Sequence, residues 1–206
     1  MSQFILVRHG QTEWNKVERF RGRADLALDA VGKRQAAAVG QRLASMSVAA
    51  VYSSPLKRAL MTADILAQPL GLTPRTHDGL LDIDFGLWQG LSPEETRTQH
   101  PELFTCWIER PHEVRFPRGE SLEDVRSRVL TAVEHLAAEH ESETVVLVSH
   151  VVVCRVLLLA LLGLDNSHFW QVGQNTAAIN AFELRDGAPM VTLINDCCHL
   201  KNLAQE

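Results

Sequence analysis

The chain has 206 residues, 46% hydrophobic and 22% charged, and a formal net charge of −5 from 20 Lys and Arg against 25 Asp and Glu. That length lets one core bury about 70% of the unfolded chain's surface, and the composition excludes disordered, collagen-like and disulfide-scaffold classes. Charge is spread without basic or acidic runs, which excludes a nucleic-acid surface and a polybasic membrane patch, so an anionic ligand needs a local cationic pocket.

Apolar, β-branched runs alternate with helical patterns, the mark of a mostly parallel sheet with helices on both faces: a three-layer αβα sandwich. "FILV" (4–7) reads as the first strand and ends in Arg8 and His9. Its apolar run is too short for a signal peptide. A loop holding Gly22, Asp25 and Asp29 leads to the Ala-rich helix "GKRQAAAVGQRLASM". "AAVYSS" is a second strand, Pro55 opens the next helix, and Gly71 ends it.

The rhythm breaks over 82–120, where Pro93, Pro101, Pro111 and Pro117 are interspersed with Gly86, Gly90 and Gly119. That composition reads as an irregular cap or lid inserted in a single domain spanning 1–206. Ser121 with Asp124 forms a capping-box pattern before "LEDVRSRVLTAVEHLAAEH". "TVVLVS" (144–149) is the most strongly β stretch and ends in His150. The following segment "VVVCRVLLLALLGL" is interrupted by Arg155 and falls short of a membrane span, so it reads as a core helix. "AINAFEL", a turn at Asp186–Gly187 and "MVTLIND" read as an antiparallel pair at the sheet edge. Cys106, Cys154, Cys197 and Cys198 contain no C-x-x-C pair, which fits reduced thiols and a cytoplasmic location.

In open α/β sheets, ligands bind outside the carboxyl ends of the strands. Arg8, His9, Arg58 and His150 converge there, and cations at helix N-termini oppose the macrodipole unless an anion sits among them. Guanidinium forks match phosphate oxygens. A histidine in such a field stays neutral and nucleophilic, which suggests phosphoryl transfer through phosphohistidine.

"LVRHGQTEWN", "GRADLALDAVGKRQA", "VYSSPLKRALMTA", "DFGLWQG", "GES" and "VVLVSH" occur in that order, and the chain resembles the histidine phosphatase (phosphoglycerate-mutase-like) superfamily across nearly its whole length. "FTCWIERPHEVRFPRGES", "SHFWQVGQN" and "NDCCHL" look most like its metal-independent phosphoserine phosphatases. The resemblance implies the phosphoglycerate-mutase-like fold, hydrolysis of a small phosphorylated metabolite, no cofactor and no metal. It makes His9 the nucleophile. Arg8, Arg58 and His150 hold the phosphoryl oxygens, with hydrogen bonds from Asn15 and the backbone at Gly22 and Val151. Asp82 stands where the family usually has a Glu as proton donor, and Val151 where it often has Gly.

Phe85, Trp88, Trp107, His112, Arg115, Arg118 and His199 are the candidates for substrate specificity, with packing as the competing role for the aromatic ones. Rival readings are a phosphoglycerate mutase, a phosphatase of α-ribazole phosphate or a sugar phosphate, and a binding protein that has lost catalysis. A metallohydrolase is disfavoured because two arginines repel the ion and no H-x-H or H-E-x-x-H spacing occurs. Gly32-Lys33-Arg34 lacks the spacing of a P-loop. A second copy of the chain, in a homodimer, is the one macromolecular partner this reading allows.

Overall fold

The structure, a computed structural model, describes residues 1–185 and 187–205. Among these, six strands form one sheet in the order β3-β2-β4-β1-β5-β6. They are β1 (Ser2–Arg8), β2 (Ala50–Ser53), β3 (Arg75–Thr76), β4 (Thr144–Ser149), β5 (Ile179–Arg185) and β6 (Ala188–Asp196). β1, β2, β3 and β4 pair in parallel, while β5 joins β1 and β6 antiparallel. The mostly parallel sheet with an antiparallel edge therefore stands, and β5 carries the reversal one strand further in.

Strand β1 is apolar on both faces because both are covered. Ile5 and Val7 pack with Val51, Val146 and Val148 against Val39 and Leu43 of α2 (Ala30–Leu43) and Leu66 of α3 (Lys57–Ala67). Phe4 and Leu6 face the other way with Val145 and Leu147, onto α6 (Leu122–Glu139) and α7 (Val151–Leu161). Phe4 stacks on Phe182 of β5 at 5.0 Å. The arrangement is three layered. Among the described residues no helix is long and apolar enough to cross a membrane.

Several boundaries differ from the sequence reading. Helix α2 begins at Ala30 because the Asp29 carboxylate caps Gly32 N–H at 2.8 Å, two residues before the Ala-rich run suggested. Helix α3 begins at Lys57 rather than Pro55, and Asp25 accepts from the Lys57 amide at 2.8 Å. Gly71 does end that region, with φ at +68°. The Ser121–Asp124 capping box forms as the pattern indicates.

The stretch 82–120 is not irregular. It holds α4 (Pro93–Gln99) and α5 (Pro101–Glu109), with Ser92 and Glu95 forming a reciprocal capping box. Pro93, Pro101 and Pro111 occupy first-turn positions, where a missing N–H costs nothing, so residues that read as breakers are starters. A short helix α1 (Glu13–Lys16) and strand β3 also went unread. In the final hairpin Asp186 lies outside the described residues, and Gly187 adopts φ +80°.

Candidate active site

The carboxyl ends of β2, β4 and β1 lie side by side, with Ser53 opposite Val148 and Arg8 opposite Ser149. The chain leaves β1 through His9, whose amide donates to the Ser149 carbonyl at 2.9 Å. It leaves β4 through His150, the N-cap residue of α7. The sheet register thus brings the two imidazoles together at 5.2 Å between ring centroids. Both are fully buried.

Arg58 is fully buried in the first turn of α3, and the protein uses most of its donors. Its Nε donates to His150 Nδ1 (3.1 Å), Nη1 to the Ala24 carbonyl (2.7 Å), and Nη2 to the Gly22 carbonyl (2.7 Å) and Asp82 Oδ2 (2.9 Å). Four of five N–H groups are committed, so Arg58 acts less as a free phosphate fork than as a charge that orients its neighbours. Gly22 supports this by its φ of +49°, and a Cβ there would press on Gln89, Ile83 and Phe85. Gly22 therefore places its carbonyl, not its amide, in contact with the buried cation.

Arg8 is 8% exposed and donates through Nη1 to the Gln174 carbonyl, leaving Nε without a partner. Burial, with Arg21 nearby, pushes its pKa down to about 10, so it remains charged at neutral pH. Gln174 is locked by a two-way amide pair with Asn180, whose Nδ2 also donates to the Leu6 carbonyl at 3.0 Å. Asp82 is buried, with Oδ1 accepting from the Ile83 amide and Oδ2 facing Arg58, 3.7 Å from His150 Nδ1. Asp84 turns to the Gly86 amide at 2.8 Å and takes no part in this cluster.

The two imidazoles are held well below the ordinary histidine pKa, first by burial and next by Arg58. Both are neutral at pH 7. His9 Nδ1 lies 2.7 Å from the Gly10 carbonyl and must carry the proton, which leaves Nε2 a lone pair without a partner. His150 Nδ1 accepts from Arg58, so its proton is on Nε2, also unpartnered. One ring offers a lone pair and the other an N–H.

A pocket of about 310 Å³ opens beside this cluster. It is lined by Asn15, Arg21, Asp82 and Val151, together with Phe85, Trp107, Arg155, Phe169 and Trp170. Asn15 Oδ1 is occupied by Thr12 N and Oγ1. Val151 opens α7, where the first amides have no intrahelical acceptor. Of the specificity candidates, Phe85 and Trp107 reach the pocket. Trp88 is buried among Phe20, Phe104 and Phe116. Arg115 is exposed and pairs with Asp124 at 2.8 Å, His112 lies beside Glu113, and neither they nor the exposed Arg118 line the pocket. His199 Nε2 donates to the carbonyl of Ala177 (3.0 Å), and the amide of Ala177 donates to the His9 carbonyl (3.2 Å), so His199 sits behind the backbone of His9.

Sequence reasoning missed Arg21, Gln174, Phe169 and Trp170, and gave Arg155 no role. Arg21 is buried enough to lower its pKa, and its signal was the alternation Arg19, Arg21, Arg23 around Gly22. Among the described residues no group of three or more His, Cys, Asp or Glu is placed to hold a metal ion.

Comparison with known proteins agrees with this geometry. The family model of the histidine phosphatase superfamily (branch 1) matches residues 4–197. Phosphoserine phosphatase 1 of Hydrogenobacter thermophilus is 40% identical over 97% of this chain and 95% of its own length. A metal-independent phosphoserine phosphatase of Arabidopsis thaliana is 30% identical, over 98% and 85%. The structure of YhfR from Bacillus stearothermophilus superposes with a TM-score of 0.94 at 32% identity, covering 98% of this chain and all of that one. With two neutral histidines facing each other among buried arginines at the strand ends, the chain belongs to the histidine phosphatase superfamily.

Proposed function

We propose that the protein hydrolyses phosphoserine, or a closely related small phosphomonoester, in two steps on His9. The observation that carries this reading is the unpartnered Nε2 of a histidine whose other nitrogen is tied to Gly10 and whose charge is suppressed by burial and three arginines. The names of the relatives in Hydrogenobacter and Arabidopsis support phosphoserine as the substrate.

In the first step, the Nε2 lone pair of His9 attacks phosphorus, the bond from phosphorus to the ester oxygen breaks, and Asp82 gives its proton to the departing alkoxide. Arg8 through Nε, His150 through Nε2–H and the Val151 amide stabilise the equatorial oxygens, and Asn15 and Arg21 complete the wall. Arg58 supplies charge and holds Asp82 and His150 in place. In the second step Asp82 takes a proton from water, whose oxygen attacks phosphorus while the phosphorus–nitrogen bond breaks and its electron pair returns to His9. Residues 82–120 serve as the cap, because they bring Asp82, Phe85 and Trp107 to one pocket. Four free cysteines fit a reducing cytoplasm. Association of two copies into the homodimer that the sequence reading allows is read by light scattering.

The test is phosphate release from phosphoserine, 3-phosphoglycerate, a sugar phosphate, α-ribazole phosphate and p-nitrophenyl phosphate in chelator, with quenched protein examined for an acid-labile phosphoryl group. The expected result is preference for phosphoserine and a label that His9→Ala abolishes. Interconversion of phosphoglycerates without phosphate release would make the protein a mutase, and a label that survives His9→Ala would remove the nucleophile assignment.

A further inference from the structure

Arg155 is the cation that interrupts the most apolar segment of the chain, and the structure gives it a particular setting. It lies on α7 one turn after Val151, about 6 Å along the helix axis from the amides that open the phosphate side of the site. Its Nε donates to the Val172 carbonyl at 2.8 Å. Its guanidinium carbon lies 5.0 Å from the Phe169 ring centroid and 5.1 Å from that of Trp170. Trp170 is itself pinned, its Nε1 donating to the Trp107 carbonyl at 3.0 Å. The guanidinium is therefore fixed by two rings and a carbonyl on the lining of the pocket. Among the described residues its two terminal nitrogens meet no protein acceptor, and burial lowers its pKa.

The neighbouring cations do not share this state. Arg19, also on the pocket lining, is taken by the Gly90 carbonyl and by Glu95 at 3.0 Å, and Arg21 donates to the Trp14 carbonyl at 3.1 Å and lies near Asp82 and Arg58. Arg115, Arg118 and His112, candidates for substrate specificity in the sequence, are absent from the pocket lining. An oriented, partly desolvated fork one helical turn from the phosphate side fits a planar bidentate acceptor.

Resting on the phosphatase reading of the pocket, we infer that Arg155 is the specificity residue for a carboxylate on the substrate, so that the enzyme selects phosphomonoesters carrying a carboxylate a few bonds from the phosphorus. In phosphoserine and 3-phosphoglycerate four bonds separate phosphorus from the carboxyl carbon, a reach comparable to that helical turn. Sugar phosphates present no group for the fork, and binding them leaves a half-desolvated cation unpaired.

The experiment compares matched substrates: phosphoserine against phosphoethanolamine, and 3-phosphoglycerate against glycerol 3-phosphate. In each pair only the first carries the carboxylate. The readout is the ratio of kcat/KM within a pair, which a merely structural role for Arg155 does not move. The native enzyme is expected to favour the carboxylate member by about tenfold or more, and Arg155→Met, which keeps the stem on the rings, to lose most of that preference. Arg155→Lys, with charge but no fork, is expected to fall between them and serves if the Met variant does not fold. No preference in the native enzyme in either pair, or an unchanged ratio in the variants, overturns the inference. Turnover of the phosphoglycerate pair alone, with the ratio lost in the variants, removes phosphoserine as substrate and leaves Arg155 in its role. If neither pair is turned over, the same ratios are read from binding by titration calorimetry.

Discussion

His9 and His150 stand 5.2 Å apart with their rings inclined at 58° and their protons on opposite nitrogens. The cause is local in each case: the carbonyl of Gly10 demands a donor from His9, and the Nε–H of Arg58 demands an acceptor from His150. Burial prevents either ring from answering with both nitrogens protonated. On the proposed reading, a phosphoryl group between them meets a lone pair on one side and a hydrogen-bond donor on the other, with no proton needing to move first.

Keeping both histidines neutral has a consequence for stability in acid. Their folded pKa values lie well below 6.5, so below that pH the unfolded chain binds protons that the native chain refuses. Stability is flat above about pH 6.5 and falls on acidification, by as much as about 1.4 kcal/mol per pH unit for each histidine. Urea midpoints measured between pH 7.5 and 5 are expected to follow this trend. His150→Gln, which keeps an acceptor for Arg58 and a donor toward phosphate, is expected to show a clearly shallower decline. An equally steep decline in that variant would place the acid sensitivity elsewhere.

Asp82 is tied to both parts of the site: it pairs with buried Arg58 and also lines the neighbouring pocket. If it protonates the leaving alkoxide, Asp82→Asn slows phosphoserine by about 10² to 10⁴ while p-nitrophenyl phosphate, whose phenolate leaves with little protonation, loses far less. The amide keeps one acceptor for the two N–H groups of Arg58 and Ile83 and turns its own N–H toward the other, so some stability is lost, and the two substrates are compared in the same variant so that this loss cancels. Equal losses on the two substrates would move the acid to another group.

The loop that carries Asp82 is itself held from behind. Arg128 of α6 donates to the carbonyls of Gly79 (3.0 Å) and Asp82 (3.2 Å) and pairs with Glu120. Glu120 also accepts from the Asp84 amide at 2.9 Å and meets Arg23 at 3.3 Å. Glu120 is thus a positioning residue. Glu120→Gln is expected to cost about 1 to 2 kcal/mol of stability by weakening a mostly buried charged hydrogen bond. Because a misplaced acid affects the chemical step more than binding, kcat should fall while KM changes little. A rise in KM with unchanged kcat would assign Glu120 to substrate binding instead.

How far the sequence reveals this site depends on where each residue's constraint lies. Arg8, His9 and His150 were legible because strand-end polarity is set by neighbours in the chain, and the sheet register did the rest. Arg58 was legible as a first-turn cation, but its saturation by Gly22, Ala24, His150 and Asp82 was not, since those partners arrive from other segments. Trp88 and Phe85 sit three residues apart and both join the core, and only tertiary packing leaves Phe85 an edge on the pocket while Trp88 is enclosed. Arg155 stood out only as a flaw in an apolar run. Its meaning depends on Phe169 and Trp170, which lie beyond the end of its own helix.

The loop after His9 is also braced by a close approach of two glycines. Gly10 follows His9, and a Cβ placed on it would come within 2.5 Å of the Gly32 carbonyl, while a Cβ on Gly32 would run into the backbone of Gln11. Gly32 lies in the first turn of α2, where alanine would otherwise favour the helix by up to about 1 kcal/mol. Overpacking against backbone costs about 1 to 3 kcal/mol, because backbone cannot change rotamer to escape, so the steric effect outweighs the propensity gain. Gly32→Ala is therefore expected to lower the thermal midpoint and to reduce kcat more than the stability loss alone implies, since the shift is transmitted through Gln11 and Gly10 to the carbonyl that fixes the His9 proton. Thermal melts beside phosphoserine kinetics read both effects. A more stable variant with full activity would show that the two segments separate freely and that the close approach does not hold His9 in place.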